Sequence, residues 1–350
     1  MKQKVLLTSQ HPGGANSLVP VIHHLLEEER VDVVPYGHEH SIRVFAQNDI
    51  AYVTIEAANV PDISLSSMKK FLSEERPAVV VTGTSGQDAT HPEVIDQTVT
   101  LAAISLGIPT VAVLGMWERN YHHLFSDDVT GESYCFLPDK IAVVDRFAQE
   151  AMVKEGIDPG RLVITGNPYF DDLMSLKKRF TLEDRKRVRN ELGIRQSVPV
   201  VLYASQPIEH HYGDRLGYTE KTALGDLLAG LNDPLSCSNG LTVLVKVHPR
   251  EKKEELEAVV REYSVPTVVN QTYPTRPAIL ASDVVVSPFS TVLVESSYLE
   301  KPSISFQPGL KEEDKFITNA LGVTLPVYTA GQIGEIVRWA LAYCDKFATR

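Results

Sequence analysis

The sequence predicts two consecutive α/β domains, each built on a doubly wound, mostly parallel sheet. Three observations carry this. Short β-branched runs alternate with amphipathic helical stretches through both halves of the chain. The strands end repeatedly in loops of Gly, Ser and Thr, the composition found at the ligand-binding carboxyl edge of such sheets. And 350 residues exceed what one ordinary core holds.

In the first half, Val5–Leu7 reads as a strand and Ser17–Glu29 as a helix, with Leu18, Val21, Ile22, Leu25 and Leu26 on one stripe. The segment between them, Ser9-Gln10-His11-Pro12-Gly13-Gly14-Ala15-Asn16, reads as a glycine-containing loop. It is neither a GxGxxG fingerprint nor a Walker loop, which argues against a dehydrogenase or a P-loop ATPase. His11 is its one ionisable side chain and a candidate general base; a lone loop His is more often a polar surface residue. Strands follow at Asp32–Tyr36, Ala51–Ile55, Ala78–Thr82, Thr110–Leu114, Ile141–Val144 and Leu162–Thr165, with helices at Pro92–Leu106 and Arg146–Glu155. Asp88 follows the loop after Ala78–Thr82. Glu118 sits in Gly115–Tyr121, a strand end that also concentrates a Trp and a Tyr.

A boundary is expected near Gly166-Asn167-Pro168, giving domains 1–170 and 171–328, with 329–350 as a terminal helical segment. After a charge-rich helical stretch, strands read at Val198–Tyr203, Thr242–Val247, Thr267–Val269, Val284–Val286 and Ser303–Phe306. Helices fall at Thr219–Leu231, Glu251–Tyr263, Thr291–Leu299 and Gln332–Tyr343. Two strand ends carry chemistry. Lys246, His248 and Arg250 would share one side of a continued strand and suit a pyrophosphate, His only if its pKa is raised. The competing reading is a charged rim on a His-Pro turn. The hydroxyl-rich loop Ser287–Ser290 opens into a helix whose N-terminus favours anions. Glu295 lies one turn along, on the face of Thr291, placed for ribose hydroxyls. A Ser N-cap with a solvated Glu explains the same spacing about as well.

Composition narrows the class. A hydrophobic content of 43% and a charged content of 23% are those of a soluble globular protein. The net charge of -11 argues against nonspecific nucleic-acid binding. Three scattered cysteines suggest neither disulfides nor zinc. The His doublets are poor chelators, and HExxH and GxSxG are missing, so neither a metal site nor a serine nucleophile is expected. With no secretory pattern and no apolar run near the ~20 residues of a membrane span, a cytoplasmic location is expected.

Three segments carry a resemblance: GNPYFDDL at Gly166–Leu173, VKVHPRE at Val245–Glu251 and SPFSTVLVESSYLEKPSISF at Ser287–Phe306. They resemble the signature segments of the GT-B superfamily. That superfamily includes nucleotide-sugar glycosyltransferases, UDP-N-acetylglucosamine 2-epimerases, and CDP-glycerol glycerophosphotransferase and polysialyltransferase-like groups. The resemblance implies two Rossmann-like domains with an interdomain cleft, the donor nucleotide on the second domain, and a C-terminal helix packing back on the first. It matches His248 to a donor-phosphate His, Ser290 and Thr291 to phosphate-binding hydroxyls, and Glu295 to a ribose-binding Glu.

His11-Pro12-Gly13-Gly14 and Ser290-Thr291-Val292 depart from the epimerase segments Arg-Pro-Glu and Ser-Gly-Gly, which lowers that reading. No Asp-x-Asp motif stands in a first-domain loop, so a metal-independent inverting transfer is the implied mechanism. The catalytic base would be His11 or Asp88, with Glu118 behind them. The expected activity is transfer of a sugar, or an alcohol phosphate, from a nucleotide-activated donor to a glycan or lipid-linked cell-envelope acceptor. The nucleotide serves as substrate and no separate cofactor is expected. Peripheral membrane contact and the oligomeric state stay open. The alternatives are an epimerase of the same fold and a non-catalytic nucleotide-sugar-binding protein.

Overall fold

The computed structural model describes residues 2–28, 30–87, 94–118, 120–127, 130–232 and 240–343. The chain divides into two compact units, Met1–Asp172 and Leu173–Arg350. The division falls inside helix Pro168–Arg179, just beyond the Gly166-Asn167-Pro168 turn.

The first unit contains strands β1 (Gln3–Ser9), β2 (Val31–Gly37), β3 (Val53–Thr54), β4 (Val79–Thr82), β5 (Thr110–Val113), β6 (Lys140–Val143) and β7 (Leu162–Ile164). They form one parallel sheet in the order β3-β2-β1-β4-β5-β6-β7. Alternation along β1 explains its two faces. Leu6 joins Val80, Phe71 and Ile95 on one side. Val5 and Leu7 join Leu18, Ile22 and Phe45 on the other. The chain turns from one flank of the sheet to the other between β1 and β4, the topological switch where α/β sheets bind ligands.

The helix expected from Ser17 begins at Pro12 and runs to Glu27. Proline's locked φ suits a first helical position, so Pro12-Gly13-Gly14 is a first turn rather than a loop. Gly14 is required there: a Cβ would lie 2.4 Å from Ser9 Oγ and 3.3 Å from the Gly83 Cα. The first turn of this helix and the end of β4 thus meet backbone to backbone.

The second unit contains β8 (Val200–Ala204), β9 (Thr242–Lys246), β10 (Thr267–Asn270), β11 (Val284–Ser287), β12 (Ser303–Phe306) and β13 (Leu325–Val327). Their parallel order is β10-β9-β8-β11-β12-β13, with the switch between β8 and β11. Sequence periodicity missed β13, whose Pro326 is tolerated because this strand lies at the sheet edge. It also missed helix Thr275–Ala281, which is short and carries a proline near its start. At the opposite, amino edge Asp283 binds Arg189 at 2.9 Å and the Val200 N–H at 2.8 Å, with Arg185 beside them. This ties helix Leu182–Glu191 to the sheet.

Helix Ile333–Ala342 buries Ile333, Val337 and Ala340 in the core of the second unit. Gly334 and Gly230 let its backbone approach helix Glu220–Leu231 closely. The buried face of this helix therefore belongs to the core of the second unit. Residues 344–350 lie outside the described residues. No helix among the described residues is long and apolar enough to cross a membrane.

Candidate functional site

The second unit's carboxyl edge is laced by three loops. The β9 and β11 ends belong to one sheet, with β8 between them. The loop after β8 makes the connection to both sides. Ser205 Oγ donates to Glu251 Oε1 at 2.6 Å. Gln206 Oε1 accepts the Phe289 N–H at 3.0 Å, which positions the turn before helix Thr291–Tyr298.

Glu251 organises the β9 loop. Its second oxygen accepts the His248 N–H at 2.7 Å, while Gln271 donates to the carbonyls of His248 and Glu251. The Arg250 N–H donates to His248 Nδ1 at 3.2 Å. A backbone N–H bonds only to an acceptor, so Nδ1 is unprotonated and Nε2 carries the proton. Burial lowers the His248 pKa, and Arg250, His211 and Lys246 lower it further. His248 is therefore a neutral N–H donor in a positive surrounding, not the third cation its spacing suggested.

Lys246 is buried and its ammonium donates to the Gln271 carbonyl after β10. Desolvation lowers its pKa. Arg250 turns instead toward a cavity of about 290 Å³ that Pro207, Glu209, Lys221, Glu251 and Leu256 help to line. Lys246 is thus committed to the end of β10, while Arg250 faces the cavity.

At the helix start, Ser290 is the N-cap and its hydroxyl accepts the Val292 N–H at 3.2 Å. Thr291 is exposed in the first turn. Glu295 is not a solvated helix residue. It is 8% exposed and pairs with Arg276 Nε at 3.6 Å. Arg276 went unread because its helix went unread. A structural ion pair is now the reading that competes with ribose binding.

In the first unit, His11 is the half-buried N-cap of helix Pro12–Glu27, and its N–H donates to Ser85 Oγ at 3.2 Å. Its imidazole makes no capping bond. Asp88 lies outside the described residues. Glu118 keeps an accessible carboxylate that neighbouring atoms crowd. Desolvation raises its pKa, and His123 pulls the other way. Trp117 is committed to structure: its indole N–H donates to Asp145 at 3.0 Å and its ring stacks on Phe170. Among the described residues, no group of three or more His, Cys, Asp or Glu side chains is placed to hold a metal ion.

Sequence reasoning missed Asp96, a fully buried carboxylate between the β1 and β4 loops. Burial raises its pKa from 3.8 to about 6, against hydrogen bonds from Gln10, Ser9 and Ser85 that lower it.

Residues 60–340 match the family model for CDP-Glycerol:Poly(glycerophosphate) glycerophosphotransferase. No curated protein matches the chain. Among solved structures it is similar to the UDP-GlcNAc 2-epimerase of Neisseria meningitidis bound to UDP-GlcNAc. Identity is 16% and the TM-score 0.70, over 100% of this chain and 94% of that one. A glycosyltransferase from Rickettsia africae gives 12% identity and a TM-score of 0.62, covering 99% and 90%. Anabaena Alr3699/HepE, in complex with UDP and glucose, gives 14% and 0.61, covering 99% and 92%. At these identities the likeness is one of fold, and that fold is GT-B.

Proposed function

The chain belongs to the CDP-Glycerol:Poly(glycerophosphate) glycerophosphotransferase family and is a nucleotide-donor transferase; we propose that it transfers an alcohol phosphate from a cytidine diphosphate donor to a hydroxyl of a glycan or lipid-linked acceptor. An acceptor oxygen attacks the phosphorus that bears the alcohol. The bridging bond to the nucleoside phosphate breaks, and the nucleoside monophosphate leaves with the electron pair. The acceptor proton passes to a base. His11 and Glu118 are the described candidates on the first unit, and Asp88 is the third. A sugar-transferring variant of the reaction would instead release the nucleoside diphosphate.

The observation that carries this reading is the His248 imidazole, held by Arg250 N–H and Glu251 so that Nε2–H is offered to a phosphate oxygen. Beside it, the β8 loop connects this donor to the helix start at Ser290 and Thr291, whose N–H groups suit the charge that develops on the leaving phosphate. Lys246 and Arg250 add positive potential around the ring. Glu295 would accept ribose hydroxyls, with Arg276 holding its carboxylate in place. No step calls for a metal ion. We place the reaction in cell-envelope polysaccharide synthesis on the cytoplasmic side, where such donors are made, with peripheral contact to the membrane that holds a lipid-linked acceptor.

The test is phosphorus NMR of CDP-glycerol with a panel of polyol-phosphate and glycan acceptors. Acceptor-dependent release of CMP is expected. Conversion of a UDP-sugar to its epimer without acceptor would replace this reading with the epimerase. Binding with no turnover of any cytidine, uridine or guanosine donor would mark a binding protein.

A further inference from the structure

Asp96 is buried, and among the described residues no cation neutralises it: burial and hydrogen bonds set its charge. A carboxylate in that setting costs stability, and an apolar residue or an Asn would fill the space more cheaply. Its oxygens gather two loops. Ser9 Oγ donates to Oδ1 at 2.9 Å and Gln10 N–H to Oδ2 at 2.8 Å, both from the end of β1. The Ser85 hydroxyl donates from the loop after β4, and Ser85 Oγ in turn accepts the His11 N–H. The Gln10 side chain closes the ring: its Oε1 accepts Ile95 N–H and its Nε2 donates to Glu39, each at 3.0 Å. The His11 backbone is therefore reached from Asp96 by two routes, through Gln10 and through Ser85.

We propose that Asp96, as a carboxylate, is a positioning residue that holds His11 and the β4 loop in the geometry the transfer step requires. The proposal rests on the transferase reading for its kinetic consequence, and on the hydrogen bonds alone for its structural one. The described titratable groups nearest this hub are His11 from the β1 loop, Glu39 through Gln10, and His123, whose carbonyl accepts a bond from Gln97 Nε2. None of them is among the causes that set the Asp96 charge. Protonating the carboxyl turns one acceptor oxygen into a donor, and the three-donor arrangement then fails.

The experiment compares the full-length wild type with Asp96→Asn and Ser85→Ala. Backbone amide exchange is followed residue by residue, and CDP-glycerol turnover is measured. Asp96→Asn should speed exchange at Gln10 and His11 at least about tenfold while leaving β8–β13 unchanged. It should also lower kcat about 10²-fold, the scale of a small misplacement, with the donor KM within about twofold. Ser85→Ala should move both readouts the same way by less. Wild-type exchange at Gln10 and His11 in Asp96→Asn would overturn the proposal. So would an unchanged kcat. If the wild type turns over no donor, the donor assignment fails, and the exchange comparison still decides what Asp96 holds.

Discussion

The two carboxyl edges use the same device for opposite ends. At the end of the first strand of each unit stands a serine whose hydroxyl donates to a carboxylate from later in the chain: Ser9 to Asp96 in the first turn of helix Ile95–Ser105, and Ser205 to Glu251 in the loop after β9. Each carboxylate also accepts a backbone N–H, from Gln10 in one case and His248 in the other. In the first unit the carboxylate is sealed inside and the backbones meet through Gly14 and Gly83. In the second, Glu251 stays half-exposed and its loop offers the His248 ring outward. One hub stiffens an edge and the other presents a donor. A shared hydrogen-bond motif therefore does not by itself show where the chemistry lies; what the loop leaves exposed does.

The sharpest way to break the comparison is to move to the amino edge, where a third carboxylate has no ligand-facing role. Asp283→Ala strands Arg189, which is buried, and removes the partner of Val200 N–H. Removing one member of a buried pair costs roughly 3–5 kcal/mol. Urea unfolding should show that loss in the second unit. A change under about 1 kcal/mol would show that the ion pair is incidental.

The next effect separates Asp96 from Glu251 by pH. The Asp96 pKa is raised from 3.8 to about 6 on folding, so between those values the folded chain holds a proton the unfolded chain has released. Acidification through about 6 stabilises the fold, and that contribution is gone at higher pH. Relative to Asp96→Asn, the wild type should gain up to roughly 3 kcal/mol between pH 7.5 and 4. A pH-independent difference between the two melting curves would contradict the burial. Glu251→Gln should behave differently. It should leave stability nearly unchanged while weakening the binding of CDP several-fold, because the amide keeps only one acceptor oxygen and the Ser205 hydroxyl and the His248 N–H can no longer both donate to it. Unaltered CDP affinity would show that the Glu251 bonds do not hold the His248 loop in its binding geometry.

The sheets were legible because β-branched runs such as Val284–Val286 and Val243–Val245 are local signals. The second-unit corner stood out as a candidate because its residues cluster in two short segments. Asp96 was not. It lies inside a stretch read as an ordinary helix, and its partners Ser9, Gln10 and Ser85 come from elsewhere in the chain. Arg276 was hidden by its short, proline-bearing helix. The state of His248 was hidden too, since only the fold shows that a backbone N–H occupies Nδ1.

The central claim is that the β9 loop takes the phosphates and Glu295 the ribose. Calorimetric titration of CDP and its 2′,3′-dideoxy analogue into wild type, His248→Ala and Glu295→Gln tests it directly. His248→Ala should weaken both ligands by roughly 1.5–3 kcal/mol, the worth of a hydrogen bond to a charged group. Glu295→Gln should weaken CDP and leave the dideoxy analogue nearly unchanged, since a mutation cannot remove a bond the ligand never made. Equal losses for the two ligands in Glu295→Gln, or full affinity in His248→Ala, would contradict the account.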